Sequence, residues 1–173
     1  NNNLILCVAR LEYIKGLDTL IYACKMLAKE GYSFTCKIIG EGPERKNLAE
    51  LISRLKIEDR VELAGPRTHK EVFELLSKAK LMVLPSRSES LSVALMEAMA
   101  CRVCAIGPDM MGNPELITDG ISGFLVRPDN AYELAGKIKQ LLLNDELRNR
   151  MKEAAYAKVR KDFNLKIETE KLF

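Results

Sequence analysis

One histidine, no long apolar run, no block of like charge and no pair of aspartates two residues apart: each shortage closes off a class of function. His69 stands alone, and the single CxxC, Cys101-Arg-Val-Cys104, has no second pair to complete it, so zinc and redox chemistry are disfavoured. No stretch approaches the ~20 apolar residues of a membrane span, and no secretion signal opens the chain, which makes the cytoplasm the expected location. With 27 basic and 24 acidic residues interspersed, the net charge of +3 builds no field of the kind that attracts nucleic acid. Nucleotide signatures are missing too. There is no G-x-x-x-x-G-K-[ST] loop, and Gly40-Glu-Gly42 fails to complete G-x-G-x-x-G because Arg45 holds the last position. Without an Asp-x-Asp pair, the commonest sign of a carboxylate-held metal on a diphosphate is absent as well. A bound diphosphate would then need protein cations and backbone amides.

What is present is ample for one core. The chain has 173 residues, 47% of them hydrophobic, and length favours a single domain over two. Five cysteines, an odd number, lie mostly inside apolar runs and read as buried thiols in a reducing compartment. The abrupt opening Asn1-Asn2-Asn3 points to a domain cut from a longer protein.

Strand-length apolar runs alternate with helical patterns, the mark of repeated βα units and a doubly wound parallel sheet. The strands are expected at Leu4 to Ala9, Phe34 to Ile39, Val61 to Ala64, Leu81 to Leu84, Val103 to Ile106 and Phe124 to Val126. Between them, Leu17, Leu20, Ile21, Cys24 and Leu27 repeat at helical spacing, as do Leu48, Leu51, Ile52 and Leu55, then Val72, Leu75, Leu76 and Ala79. Thr68-His-Lys-Glu71 is a capping box, Pro43 suits the first turn of the second helix, and Gly31 and Gly120 suit chain reversals. His69 then falls on a first helical turn, exposed to solvent. After Asn130 only helical spacing remains, forming a charged helical tail.

Two glutamates carry the sharpest functional signal. Glu89 and Glu97 bracket the passage from the fourth strand into a helix expected over Leu91 to Cys101. Ligands of open α/β sheets bind outside the carboxyl ends of the strands, and helix N-termini favour phosphate. Eight residues span at most about 12 Å along a helix, which suits an extended ligand with hydroxyls at both ends and an anion between. Arg10 and Lys15 follow the first strand on the same sheet edge, the one a planar fork and the other a mobile point charge for phosphate. As exposed helix-end carboxylates the two glutamates would merely help the macrodipole, a reading that leaves Arg10 and Lys15 without a role.

Taken in order, Ala9-Arg10-Leu-x-x-x-Lys15-Gly16, Gly40-Glu-Gly-Pro43, Val83-Leu-Pro-Ser86, Glu89-x7-Glu97, Asn113-Pro-Glu115 and Asp119-Gly-x-x-Gly123-Phe-Leu-Val126 resemble the donor-binding half of glycosyltransferase family 4. The resemblance implies one Rossmann-like half of a GT-B fold spanning residues 1–173, with the N-terminal acceptor domain absent. It implies a retaining, metal-independent enzyme that moves a hexose from a nucleotide diphosphate sugar to a glycan or lipid-linked hydroxyl, needs no cofactor, and is inactive as this fragment alone. By resemblance, Arg10 and Lys15 hold the diphosphate, Glu89 flanks the transferred sugar and Glu97 takes the ribose hydroxyls. The N–H groups of Ser90, Leu91, Ser92 and Val93 face the phosphates, and Gly40, Pro66 and Arg67 line the nucleotide pocket. Departures from the family pattern are Ala9, Leu91, Ser92, Arg102, Cys104 and Met110-Met111. Ser92 and Arg102 favour an alternative, a non-catalytic nucleotide-binding or regulatory module. A flavodoxin-like interaction domain is a third reading, with nothing bound at the sheet edge.

Overall fold

The strands are apolar on both faces because both faces are covered. In β1 (Leu4–Val8), Ile5 and Cys7 enter one core cluster while Leu6 enters the other, so near-continuous hydrophobicity replaces alternation. Five more strands complete a parallel sheet: β2 (Thr35–Ile39), β3 (Val61–Gly65), β4 (Leu81–Val83), β5 (Cys104–Pro108) and β6 (Phe124–Val126). Their order is β3-β2-β1-β4-β5-β6, with Leu4 beside Thr35 and Ile5 beside Leu81 in register. The strand order therefore reverses between β1 and β4, the kind of point at which open α/β sheets bind ligands beyond the carboxyl edge. This computed structural model describes residues 3–162; Asn1, Asn2 and residues 163–173, the extremes of the opening and of the helical tail, lie outside the described residues.

Seven α-helices flank the sheet among the described residues. On one face lie α1 (Leu17–Lys29), α2 (Arg45–Leu55) and α6 (Ala131–Leu143). The opposite face carries α3 (His69–Leu76), α4 (Val93–Ala100) and the four-residue α5 (Asn113–Leu116). The tail ends in α7 (Asp145–Asp162), which packs back on α4 and β5. Each fully buried aliphatic, such as Leu6 or Ile38, contributes roughly 2 kcal/mol by leaving water. No helix among the described residues is long and apolar enough to cross a membrane.

Element ends follow local hydrogen bonds more than apolar runs. The Ser92 hydroxyl caps α4 by accepting from the Leu95 N–H at 3.1 Å, so the helix starts at Val93 rather than Leu91. Val103 donates to the Ala98 carbonyl at 2.9 Å, which makes it part of the helix exit and delays β5 to Cys104. Pro43 sits in the turn ahead of α2, not in its first turn, because that helix begins at Arg45. The capping box at Thr68 and Glu71 forms with both reciprocal bonds, and Gly31 and Gly120 adopt the expected positive φ. Two short elements had no periodic signal to announce them: α5 and a 3₁₀ turn at Tyr13–Lys15.

Candidate functional site

Three loops meet at the carboxyl edge through contacts that only glycine permits. A Cβ on Gly40 would lie 1.9 Å from the Ala9 carbonyl oxygen, and one on Gly42 would lie 2.4 Å from that of Leu11. Beside these glycines the pairing of the two chain segments extends beyond β1, with Ala9 donating to Ile39 and Leu11 to Glu41, each at 3.0 Å. Gly16, at φ +61°, presses against Pro85, whose carbonyl oxygen would stand 2.2 Å from an added Cβ. The turn holding Lys15 is thereby laid on the loop that leaves β4.

That contact brings together residues 74 positions apart. Lys15 Nζ lies 2.9 Å from Glu89 Oε2, and the Ser86 hydroxyl donates to the same oxygen at 3.2 Å. The lysine and glutamate side chains are only 20% and 16% exposed, so the pair is shielded enough to hold its geometry. An ammonium has three donors, and one bond to Glu89 leaves two for a further anion.

Arg87 ties the assembly down. Its guanidinium donates to Asp18 Oδ2 at 2.8 Å, to Asp129 Oδ1 at 2.6 Å and to the Tyr13 carbonyl at 2.7 Å, and lies 4.3 Å from the Tyr13 ring centroid. Its own N–H donates to Ile14 at 2.8 Å. The hydrogen bond to Asp18 stabilises the charged form and raises its pKa, overcoming the opposing cost of burial. The 3₁₀ turn, α1 and the loop after β6 are thus fastened to the residue beside Ser86.

The other expected residues are arranged more loosely. Arg10 is 72% exposed and turns its Nε to Glu12 at 2.6 Å instead of joining Lys15. Glu97, on the second turn of α4 and 24% exposed, meets His69 Nε2 at 2.8 Å. Arg67 folds onto the Pro66 carbonyl at 2.9 Å and makes no contact with Glu97. Among the described residues, the N–H groups of Ser90, Leu91, Ser92 and Val93 have no hydrogen-bond partner, leaving the start of α4 open to an anion. Ser92 is buried, and its hydroxyl is used as the cap of α4. A cavity of about 350 Å³ lies elsewhere, between α1 and α2, and is lined by Tyr13, Asp18, Tyr22, Asn47 and Arg54 among others; none of Arg10, Lys15, Glu89 and Glu97 borders it. The candidate site is consequently an open edge.

Sequence spacing missed the partnerships of His69, Ser86 and Arg87. A signal existed for each: Ser86 and Arg87 leave β4 beside Glu89, and the capping box places His69 at the start of a helix on the same sheet edge. Burial pushes the Cys101 and Cys104 thiols up to about 11, which disfavours the reactive thiolate.

Strand order and glycine-packed loops define a Rossmann-like domain, the architecture of each half of a GT-B fold, with a cation–carboxylate edge beside a free helix start. Comparison with known proteins agrees: the chain belongs to the glycosyl transferases group 1 family, whose model matches residues 1–158. It is 37% identical over 171 residues to the putative colanic acid biosynthesis glycosyltransferase WcaL of Escherichia coli, covering 94% of this chain and 42% of that protein. With the alpha-D-kanosaminyltransferase of Streptomyces kanamyceticus it shares 36% identity over 152 residues, covering 88% and 39%. Among solved structures, Anabaena Alr3699/HepE in complex with UDP superposes with a TM-score of 0.87 at 27% identity, over 94% of this chain and 45% of that one. The chain thus spans about two fifths of the length of these curated relatives.

Proposed function

We propose that this chain is the donor-binding half of a glycosyltransferase that moves a hexose from a nucleotide diphosphate sugar to a saccharide or lipid-linked hydroxyl. The observation that carries the proposal is the shielded Lys15–Glu89 pair standing beside four unpartnered amides at the start of α4. Lys15 and the outer nitrogens of Arg10 supply positive charge for the diphosphate and for the leaving nucleotide, without a metal. Glu97 accepts the ribose hydroxyls. The Anabaena relative's complex with UDP supports a nucleotide ligand, and the partial coverage of full-length relatives supports an acceptor domain elsewhere in the complete protein. An open edge is what half of a two-sided cleft presents. Free cysteines, four of them buried, suit a cytoplasmic enzyme.

Glu89 serves as a positioning group for the sugar. A carboxylate oxygen already shared by an ammonium at 2.9 Å and a hydroxyl at 3.2 Å has its charge offset, which weakens it as a nucleophile. Retention with the leaving diphosphate assisting acceptor deprotonation on the same face is consistent with that restraint. One observation favours the rival, a non-catalytic module: both cations are already engaged by carboxylates, Lys15 by Glu89 and Arg10 by Glu12. Calorimetric titration with UDP, GDP and ADP separates the donor site from a regulatory module that takes no nucleotide. The donor site requires binding of at least one nucleotide, weakened about tenfold or more in Lys15→Ala and Glu97→Ala; a chain silent to all three is no donor domain.

A further inference from the structure

His69 has no part in holding a diphosphate, yet the fold delivers it to Glu97. Helices α3 and α4 lie on the same face of the sheet, with Val72 and Leu76 of the one and Leu95 and Met99 of the other buried in a single apolar cluster. The reciprocal bonds between Thr68 and Glu71 fix the first turn of α3 and set His69 at its start. From there its Nε2 lies 2.8 Å from Glu97 Oε1, while the ring packs on Phe73 with centroids 5.1 Å apart. The imidazole is held along one edge and against one neighbour, although 73% of the side chain remains in contact with solvent. A carboxylate can only accept, so the contact requires the proton on Nε2.

An ionised carboxylate has about four acceptor positions, and one N–H donor leaves enough for two hydroxyls on neighbouring carbons. A glutamate on a helix surface samples several rotamers, and fixing one of them in advance lowers the ordering cost of binding. We infer that His69 is a positioning residue for nucleoside recognition: it holds Glu97 in the orientation that accepts the vicinal ribose hydroxyls of a nucleoside diphosphate. The inference rests on the reading of Glu97 as a donor-site residue and adds to it the group that presets the carboxylate.

A chemical and genetic double cycle tests it. The chain is titrated calorimetrically with whichever of UDP, GDP and ADP binds, and with the 2′,3′-dideoxy form of that nucleotide. H69A should weaken the ribonucleotide by roughly three- to fivefold, the range of an exposed charge-assisted contact. H69Q, whose amide nitrogen can donate from a similar position, should recover most of that loss. Neither substitution should change affinity for the dideoxy form, and H69A should add nothing in an E97A background. The inference is overturned if E97A weakens binding while H69A does not, if H69A weakens both nucleotide forms equally, or if its effect persists without Glu97. A chain that binds none of the three nucleotides removes the donor-site reading first, and this inference with it.

Discussion

Single residues at the sheet edge divide into those fixed by space and those fixed by charge. Gly40 belongs to the first kind. At φ +142° and with the Ala9 carbonyl oxygen 1.9 Å from where a Cβ would sit, even alanine forces two strand ends apart. Gly40→Ala should cost about 3 kcal/mol or more, seen as a lower midpoint in urea unfolding. Arg102 shows the opposite solution, a side chain accepted where glycine is usual. Its φ of +56° is offset by stacking over Tyr156 at 3.8 Å and an ion pair with Glu153 at 3.2 Å. Arg102→Ala keeps the strained backbone and loses both contacts, so it should be less stable than Arg102→Gly, which relieves the strain; thermal melting of the two variants checks the order. The cysteines supply a chemical probe of the same packing. Cys101 is half-buried with its thiol pushed up to about 11, Cys7 is buried and raised further by desolvation, and Cys36 is buried and raised first by its hydrogen bond with Cys24 and then by desolvation. Iodoacetamide at neutral pH should therefore label Cys101 slowly and the other two only after unfolding.

At the scale of elements, helix α3 offers a titratable cap. The Thr68 N–H donates to the Glu71 carboxylate at 2.7 Å and the Thr68 hydroxyl donates at 2.9 Å, which holds Glu71 below the ordinary carboxylate range. A depressed folded pKa stabilises above the unfolded value, and the contribution is lost as pH falls through the folded one. Thermal midpoints should place E71Q below the parent near pH 7, with the gap closing as the pH drops below about 4. The elements themselves were legible because repeated apolar runs and helical stripes are statements about burial, and burial on both faces of a parallel sheet is what the fold requires. Their limits were less so. Ser92 and Val103 are chemically compatible with helix and strand, and only the bonds to Leu95 and Ala98 assign them to a cap and an exit. The site divides similarly. Spacing and resemblance brought Lys15 and Glu89 to one edge, but the direction of an exposed side chain such as Arg10, and long-range partners such as Arg87 with Asp129 or His69 with Glu97, depend on loop paths that no local pattern encodes.

The whole molecule has two cores separated by its sheet, and α7 is the helix that joins them. Met151 is buried in the cluster formed with α1, α2 and α6, whereas Ala155 and Val159, further along the same helix, are buried in the cluster formed with α3 and α4. The contact is reinforced on the way: Arg102 stacks over Tyr156, and the Cys104 thiol lies 3.2 Å from the Arg148 carbonyl. Loosening this helix removes support from α4, the element that presents Glu97 and the open amides, and simultaneously opens the core beneath α1 and α6. The two faces should therefore unfold together rather than in sequence. Met151→Ala, which leaves a cavity at a side chain almost wholly excluded from water, should cost roughly 2–5 kcal/mol. Far-UV circular dichroism and the exposure of Cys36 on one face and Cys101 on the other should report a single shared transition, displaced to lower denaturant but not split. Separate transitions for the two thiols would show that the sheet insulates its faces from one another and that α7 merely rests against them.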